Sequence, residues 1–164
     1  MNTTNEIDIE TLARQRTVAD LVNSAIRFEA AAEAFYMQLL GQVRAELQPL
    51  VAGLVVEERE HQARLRHLID SGELVAELRV RLDAPSSMSE FEAMEQAPEL
   101  PSNPSDDDIL DYAMAREQVA AEHYAALARS ADSPILRETF AFLADEESQH
   151  IVQLGQRWSR LSGA

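Results

Sequence analysis

The sequence predicts an all-α protein: a bundle of four helices built from two repeated hairpins, with a long connection between helices 2 and 3. Three observations predict it. Apolar residues recur at three- and four-residue steps through long stretches poor in glycine and proline, prolines gather in the middle of the chain, and one pair of motifs occurs twice. At 164 residues the chain fits one domain, 1–164, large enough to bury a core without disulfide or metal staples.

Residues 8 to about 46 read as the first helix, with glycine only at Gly41 and no proline. Val22, Ala25, Ile26, Ala32, Tyr36, Leu39 and Val43 form its apolar stripe, and Glu29 falls inside it. Pro49 suits the first turn of a second helix, whose inner face runs through Leu50, Val51, Leu54, Glu58, His61, Leu65 and Leu68. Ser71-Gly72 should stop it. Residues 72–105 hold four of the six prolines and read as a crossover connection. Within it ELVAELRVRL is amphipathic, and Ser89 with Glu92 has the spacing of a capping box. The run SDDD at 105–108 supplies an N-cap and negative charge at the start of a third helix, which extends to about Ser130. Ser133-Pro134 then opens a fourth, running to about Leu161.

Composition removes whole classes of function. The chain has 14 Lys and Arg against 29 Asp and Glu, a formal net charge of -15, so nucleic acid and anionic membrane surfaces are repelled. With no cysteine there are no thiolate metal sites, iron-sulfur clusters or cysteine nucleophile, and any metal must be held by oxygen and imidazole. The polar, acidic N-terminus MNTTNEIDIE and the lack of any run of about 18 apolar residues read as a soluble cytoplasmic protein with no membrane span.

The repeat carries the chemistry. FEAAAEAFYMQL (28–39) aligns with REQVAAEHYAAL (116–127), pairing Glu29 with Glu117, Tyr36 with Tyr124 and Leu39 with Leu127. LVVEEREHQARL (54–65) aligns with FLADEESQHIVQL (142–154), so Glu57-Glu58 and His61 match Glu146-Glu147 and His150. The lone glutamate precedes the motif glutamate by 58 − 29 = 29 residues in one half and 147 − 117 = 30 in the other. A glutamate and a histidine three apart share a helix face and can grip one ion. Two such hairpins, antiparallel, bring Glu29, Glu58, His61, Glu117, Glu147 and His150 to one level of the bundle. Four glutamates neutralise two divalent cations, and one Glu from each of two helices with Glu-x-x-His from the other two is the arrangement of carboxylate-bridged di-iron bundles. Iron, manganese and zinc all accept this donor set.

Glu57 and Glu146 point about 100° away from their neighbours and read as helix-surface charges. Glu33, four residues after Glu29, either reaches the site or is a partly buried polar residue. Tyr36 and Tyr124 either hydrogen-bond to a ligand from a facing helix or fill the core. His67 and His123, without a glutamate three residues before them, read as surface or core residues.

AIRFEAAAEAFYMQL with LVVEEREH, then YAMAREQVAAEHYAAL with FLADEESQH, resemble the paired motifs of the ferritin-like superfamily, specifically rubrerythrin-type di-iron proteins. The resemblance implies a ferritin-like four-helix bundle, two iron ions, Glu29, Glu58, Glu117 and Glu147 as carboxylate ligands, and His61 and His150 as terminal ones. It implies activity on Fe(II) with oxygen or peroxide, as a ferroxidase or peroxide scavenger, and association as a homodimer. Well-studied rubrerythrins carry a rubredoxin domain with four cysteines; this sequence has no cysteine, so an external electron donor is expected. The additional glutamate that the family places three residues after the third-helix ligand is Ala120 here, and Glu122 points elsewhere. A metal-binding or iron-handling bundle without turnover and a structural bundle with an empty site are the alternatives.

Overall fold

The computed structural model describes residues 9–96, 100 and 102–162. In chain order the elements are α1 (Ile9–Arg14), β1 (Gln15–Thr17), α2 (Val18–Leu39), α3 (Gln48–Asp70), α4 (Val75–Leu78), β2 (Arg81–Asp83), α5 (Met88–Ala93), α6 (Asp106–Ser130) and α7 (Pro134–Ser162). The four long helices pack in pairs, α2 along α3 and α6 along α7, as the repeat requires.

The predicted first helix is shorter than its composition suggests; its start at residue 8 lies outside the described residues. Thr17 adopts an extended backbone and caps α2 by accepting from the Asp20 N–H, while the Asp20 carboxylate accepts from the Thr17 N–H. That reciprocal cap starts a new helix at Val18 and frees residues 15–17 to pair antiparallel with β2, Arg16 opposite Leu82. At the other end α2 stops at Leu39, whose carbonyl accepts from both the Gln42 (2.8 Å) and Val43 (2.9 Å) N–H groups. A turn around Gly41 replaces the last helical stretch predicted to 46.

The remaining boundaries follow local chemistry. Pro49 sits in the first turn of α3, and Gly72, just past the Ser71 C-cap, takes φ 74°, a left-handed conformation that a side chain would strain. Ser105 and Asp108 form a capping box at the start of α6, whose first turn holds three aspartates where the helix macrodipole favours them. Leu50 lies half-buried at the rim of α3, whereas Val51 and Leu54 are buried as expected.

The crossover is more ordered than a plain connection, although Pro98 and Pro101 lie outside the described residues. The Ser89–Glu92 capping box is absent: Ser87 precedes α5, and its hydroxyl serves His123 Nδ1 instead, at 2.8 Å. The short elements form a strap across α2 and α6. Phe91 stacks on Phe28 (4.2 Å between centroids, 8°) and on the His123 ring (3.8 Å, 15°). Glu95 accepts from Ser24 at 2.5 Å and pairs with Arg27 at 2.8 Å, and the buried Arg116 donates to the Met94 carbonyl at 2.7 Å. Among the described residues no helix is long and apolar enough to cross a membrane.

His123 is fully buried, and burial pushes its imidazole down from 6.5 to about 4. Between those values the unfolded chain takes up a proton that the folded chain refuses, so stability is present above pH 6.5 and is lost as pH falls towards 4. Comparing denaturant unfolding of the metal-free protein with that of His123→Phe at pH 7 and pH 4, the wild type should lose about 3 kcal/mol more on acidification. Equal losses would show that His123 does not set this acid sensitivity.

Candidate metal centre

Each long helix passes from one apolar cluster through a polar layer into another. The first cluster includes Phe28, Leu65, Leu127 and Leu143; the second includes Phe35, Leu54, Ile109 and Leu154. Between them lie the six predicted residues, Glu29 of α2, Glu58 and His61 of α3, Glu117 of α6, and Glu147 and His150 of α7, none more than 3% exposed. The three-residue step puts each glutamate and histidine on the inner face of one helix, and the hairpins set the lone glutamates opposite.

The donors divide into two overlapping groups, each with ligand atoms within 4.8 Å of one another: Glu29, Glu58, His61 and Glu147, and Glu58, Glu117, Glu147 and His150. Glu58 and Glu147 belong to both, whereas each group has its own lone glutamate and its own histidine. Both imidazoles turn Nδ1 towards the carboxylates. His61 Nδ1 lies 2.9 Å from Glu147, 3.3 Å from Glu58 and 3.6 Å from Glu29. His150 Nδ1 lies 3.3 Å from Glu117, 3.5 Å from Glu58 and 3.6 Å from Glu147. The two rings are nearly parallel, 5.8 Å apart.

Concentrated charge determines the protonation of the metal-free layer. Burial, with Glu58 close by, raises the Glu29 carboxyl to about 8, and burial with the surrounding carboxylates raises Glu147 well above the ordinary range. Burial pushes Glu58 the same way, but the close approach of Glu29, His150 and His61 outweighs it and holds that carboxyl low. For both histidines burial is outweighed by facing carboxylates, chiefly Glu147 at His61 and Glu117 at His150, which keep the rings protonated. Protons thus occupy the position of a cation.

The donor geometry fits metal better than protons. Glu29 Oε2, both Glu58 oxygens, both His61 ring nitrogens and Glu147 Oε1 are buried without a hydrogen bond, although several lie within ion-pair distance of one another. Lone pairs that converge without aligned donors suit a shared ion; leaving them unmatched is costly.

The tyrosines resolve in favour of hydrogen bonding. Tyr36 of α2 donates to Glu117 of α6, and Tyr124 of α6 donates to Glu29 of α2. Burial, with neighbouring carboxylates, raises both phenols well above their usual value and keeps them as donors. Glu33 does not enter the layer: it pairs with Arg59 at 2.7 Å and accepts from Gln62 at 2.6 Å. Glu57 and Glu146 are not simple surface charges. Glu57 reaches across to His150 Nε2 at 2.5 Å, and its carboxyl is lowered chiefly by that hydrogen bond; Glu146 lies 3.9 Å from His61 Nε2. The doubled glutamate in both motif copies was the available signal. Arg116, next to Glu117 and buried over the Phe28 ring, was not anticipated; its place in the repeat corresponds to Phe28 itself.

Comparisons with known proteins agree with this arrangement. A rubrerythrin family model matches residues 108–162, which contain nearly all of α6 and α7 with Glu117, Tyr124, Glu147 and His150. A solved structure from Thermotoga maritima, of a protein described by assignment as a ferritin-like diiron-carboxylate protein, superposes with a TM-score of 0.70 and 21% identity, over 87% of this chain and 95% of that one. The fold is therefore ferritin-like. No curated protein matches the chain.

Loading metal must expel the protons held by His61, His150, Glu29 and Glu147, so binding strengthens as pH rises; the Glu29 contribution levels off near about pH 8, where that carboxyl ionises, and the histidine and Glu147 contributions persist above it. Titrating Zn(II) into lightly buffered metal-free protein at about pH 7 should release protons and saturate near about two ions per chain. Glu58→Ala, which removes a donor from both groups, should abolish binding of both ions. Zinc uptake independent of pH, or unchanged in Glu58→Ala, would place binding elsewhere.

Proposed function

We propose that this protein is a di-iron carboxylate oxidoreductase that oxidises Fe(II) with oxygen or peroxide. The observation that carries this reading is the pair of buried groups sharing Glu58 and Glu147. Each position then has three carboxylates and one imidazole, a hard and borderline donor set without thiolate that suits ferrous and ferric iron. When bound, an iron pair supplies two one-electron couples, enough to return peroxide as water with two protons.

The chain's own residues prepare that chemistry. Glu58 and Glu147, common to both groups, would contact both ions, and Glu29 and Glu117 would serve one each. Tyr36 and Tyr124 orient the latter two from the opposite helix and can return a proton to a carboxylate when its charge changes. The flanking apolar clusters limit the water that reaches the layer. Oxygen or peroxide and an external electron donor are the expected partners, and a homodimer in the cytoplasm is the expected setting.

Ala120 bears on which oxidant dominates. It lies in the apolar cluster with Tyr124 and Leu127 and supplies no carboxylate, while Glu122 is exposed and accepts from Gln118. That favours ferrous oxidation over repeated peroxide reduction.

Anaerobic metal-free protein loaded with Fe(II) and then mixed with oxygen or peroxide should develop ferric absorbance well ahead of a protein-free control. Glu58→Ala and His61→Ala should fall to the control rate. Two ions bound with no faster oxidation would leave an iron-handling module in place of an enzyme.

A further inference from the structure

Each imidazole of the layer has two faces to its chemistry. Nδ1 is turned to the carboxylates, so a ring that donates this lone pair to an ion must keep its proton on Nε2. Both rings are almost wholly buried, and a buried N–H needs an acceptor. In both cases the nearest carboxylate on that side is the first glutamate of the other hairpin's motif. Glu57 of α3 accepts from His150 of α7 at 2.5 Å, and Glu146 of α7 faces His61 of α3 at 3.9 Å. The arrangement is reciprocal but unequal: the Phe142 ring stands perpendicular to His61 with centroids 6.4 Å apart, and His61 Nε2 has no hydrogen bond.

Resting on the dinuclear reading above, we infer that Glu57 and Glu146 are positioning residues. From the opposite hairpin Glu57 holds the Nε2–H of His150, and Glu146 only faces Nε2 of His61, so that Glu57 makes the His150 position the tighter of the two. A carboxylate hydrogen-bonded to the far nitrogen sets the tautomer and ring rotation and makes Nδ1 a stronger donor. The closer contact at His150 delivers more of this effect. The doubled glutamate in Glu-Glu-x-x-His thus has two tasks on one helix: the second residue faces the shared ions of its own layer, and the first braces the neighbouring hairpin's ligand.

Zn(II) is the probe, titrated against a chromophoric chelator, with histidine ring ¹⁵N spectra of the zinc-loaded protein as a second readout. Wild type should bind two ions unequally, with His150 bound through Nδ1 and its Nε2–H slow to exchange. Glu57→Ala should weaken the tighter ion by about 10–100-fold and speed exchange of that proton, and Glu57→Gln, which retains an acceptor oxygen, should recover part of both. Glu146→Ala should have a smaller effect, confined to His61. Thermal unfolding of the metal-free variants checks that each folds. Unchanged affinities and exchange in Glu57→Ala, while Glu58→Ala loses zinc, would overturn this inference and leave the metal reading standing. No zinc bound by the wild type would overturn both.

Discussion

Burying four carboxylates and two imidazoles at one level of a helical bundle is the constraint on which the rest of the structure depends. Isolated buried charges of this kind cost far more than a domain of this size can spare, so they are tolerated only when neutralised. In the metal-free protein, protons on His61, His150, Glu29 and Glu147 provide part of that neutralisation, and Glu58 remains ionised between them. The apolar clusters on either side remove water from the layer and thereby sharpen every interaction within it.

The same layer joins the two hairpins. Within a hairpin, α2 with α3 and α6 with α7 have extensive apolar packing. Across the hairpins the named polar contacts run in reciprocal pairs: Tyr36 to Glu117 and Tyr124 to Glu29, Glu57 to His150 and Glu146 towards His61. Each pair reflects the repeat, because a residue that faces the layer from one hairpin has a counterpart facing it from the other. The strap that crosses α2 and α6 breaks the symmetry. Arg116 stands where the first half has Phe28, and it ties the Met94 and Phe28 carbonyls together over that ring.

Much of the centre could be read from spacing. Glu-x-x-His and the glutamate 29 or 30 residues before its own glutamate identify all six residues of the buried layer, because an inward helix face tolerates a charge only when something answers it. The end of α2 and its start were less legible. Alanine, leucine and glutamate run on past both, and the breaks come from a cap at Thr17 that competes with helix and from β pairing to a segment some 65 residues away. Glu57 and Glu146 were misplaced for a related reason: a 100° rotation from the inner face points away from the partner within the hairpin but towards the other hairpin.

The sequence by itself determined the helical class, the repeat, the donor types and their pairing along each helix, since these follow from periods of three and four residues and from local caps. Which carboxylates belong to both groups, which helix each tyrosine serves, where Glu33 finds Arg59, and how unequally Glu57 and Glu146 approach the two histidines were decided only by the tertiary structure. Those outcomes depend on the rotation and height of one hairpin against the other, and periodicity along a single helix carries no information about either.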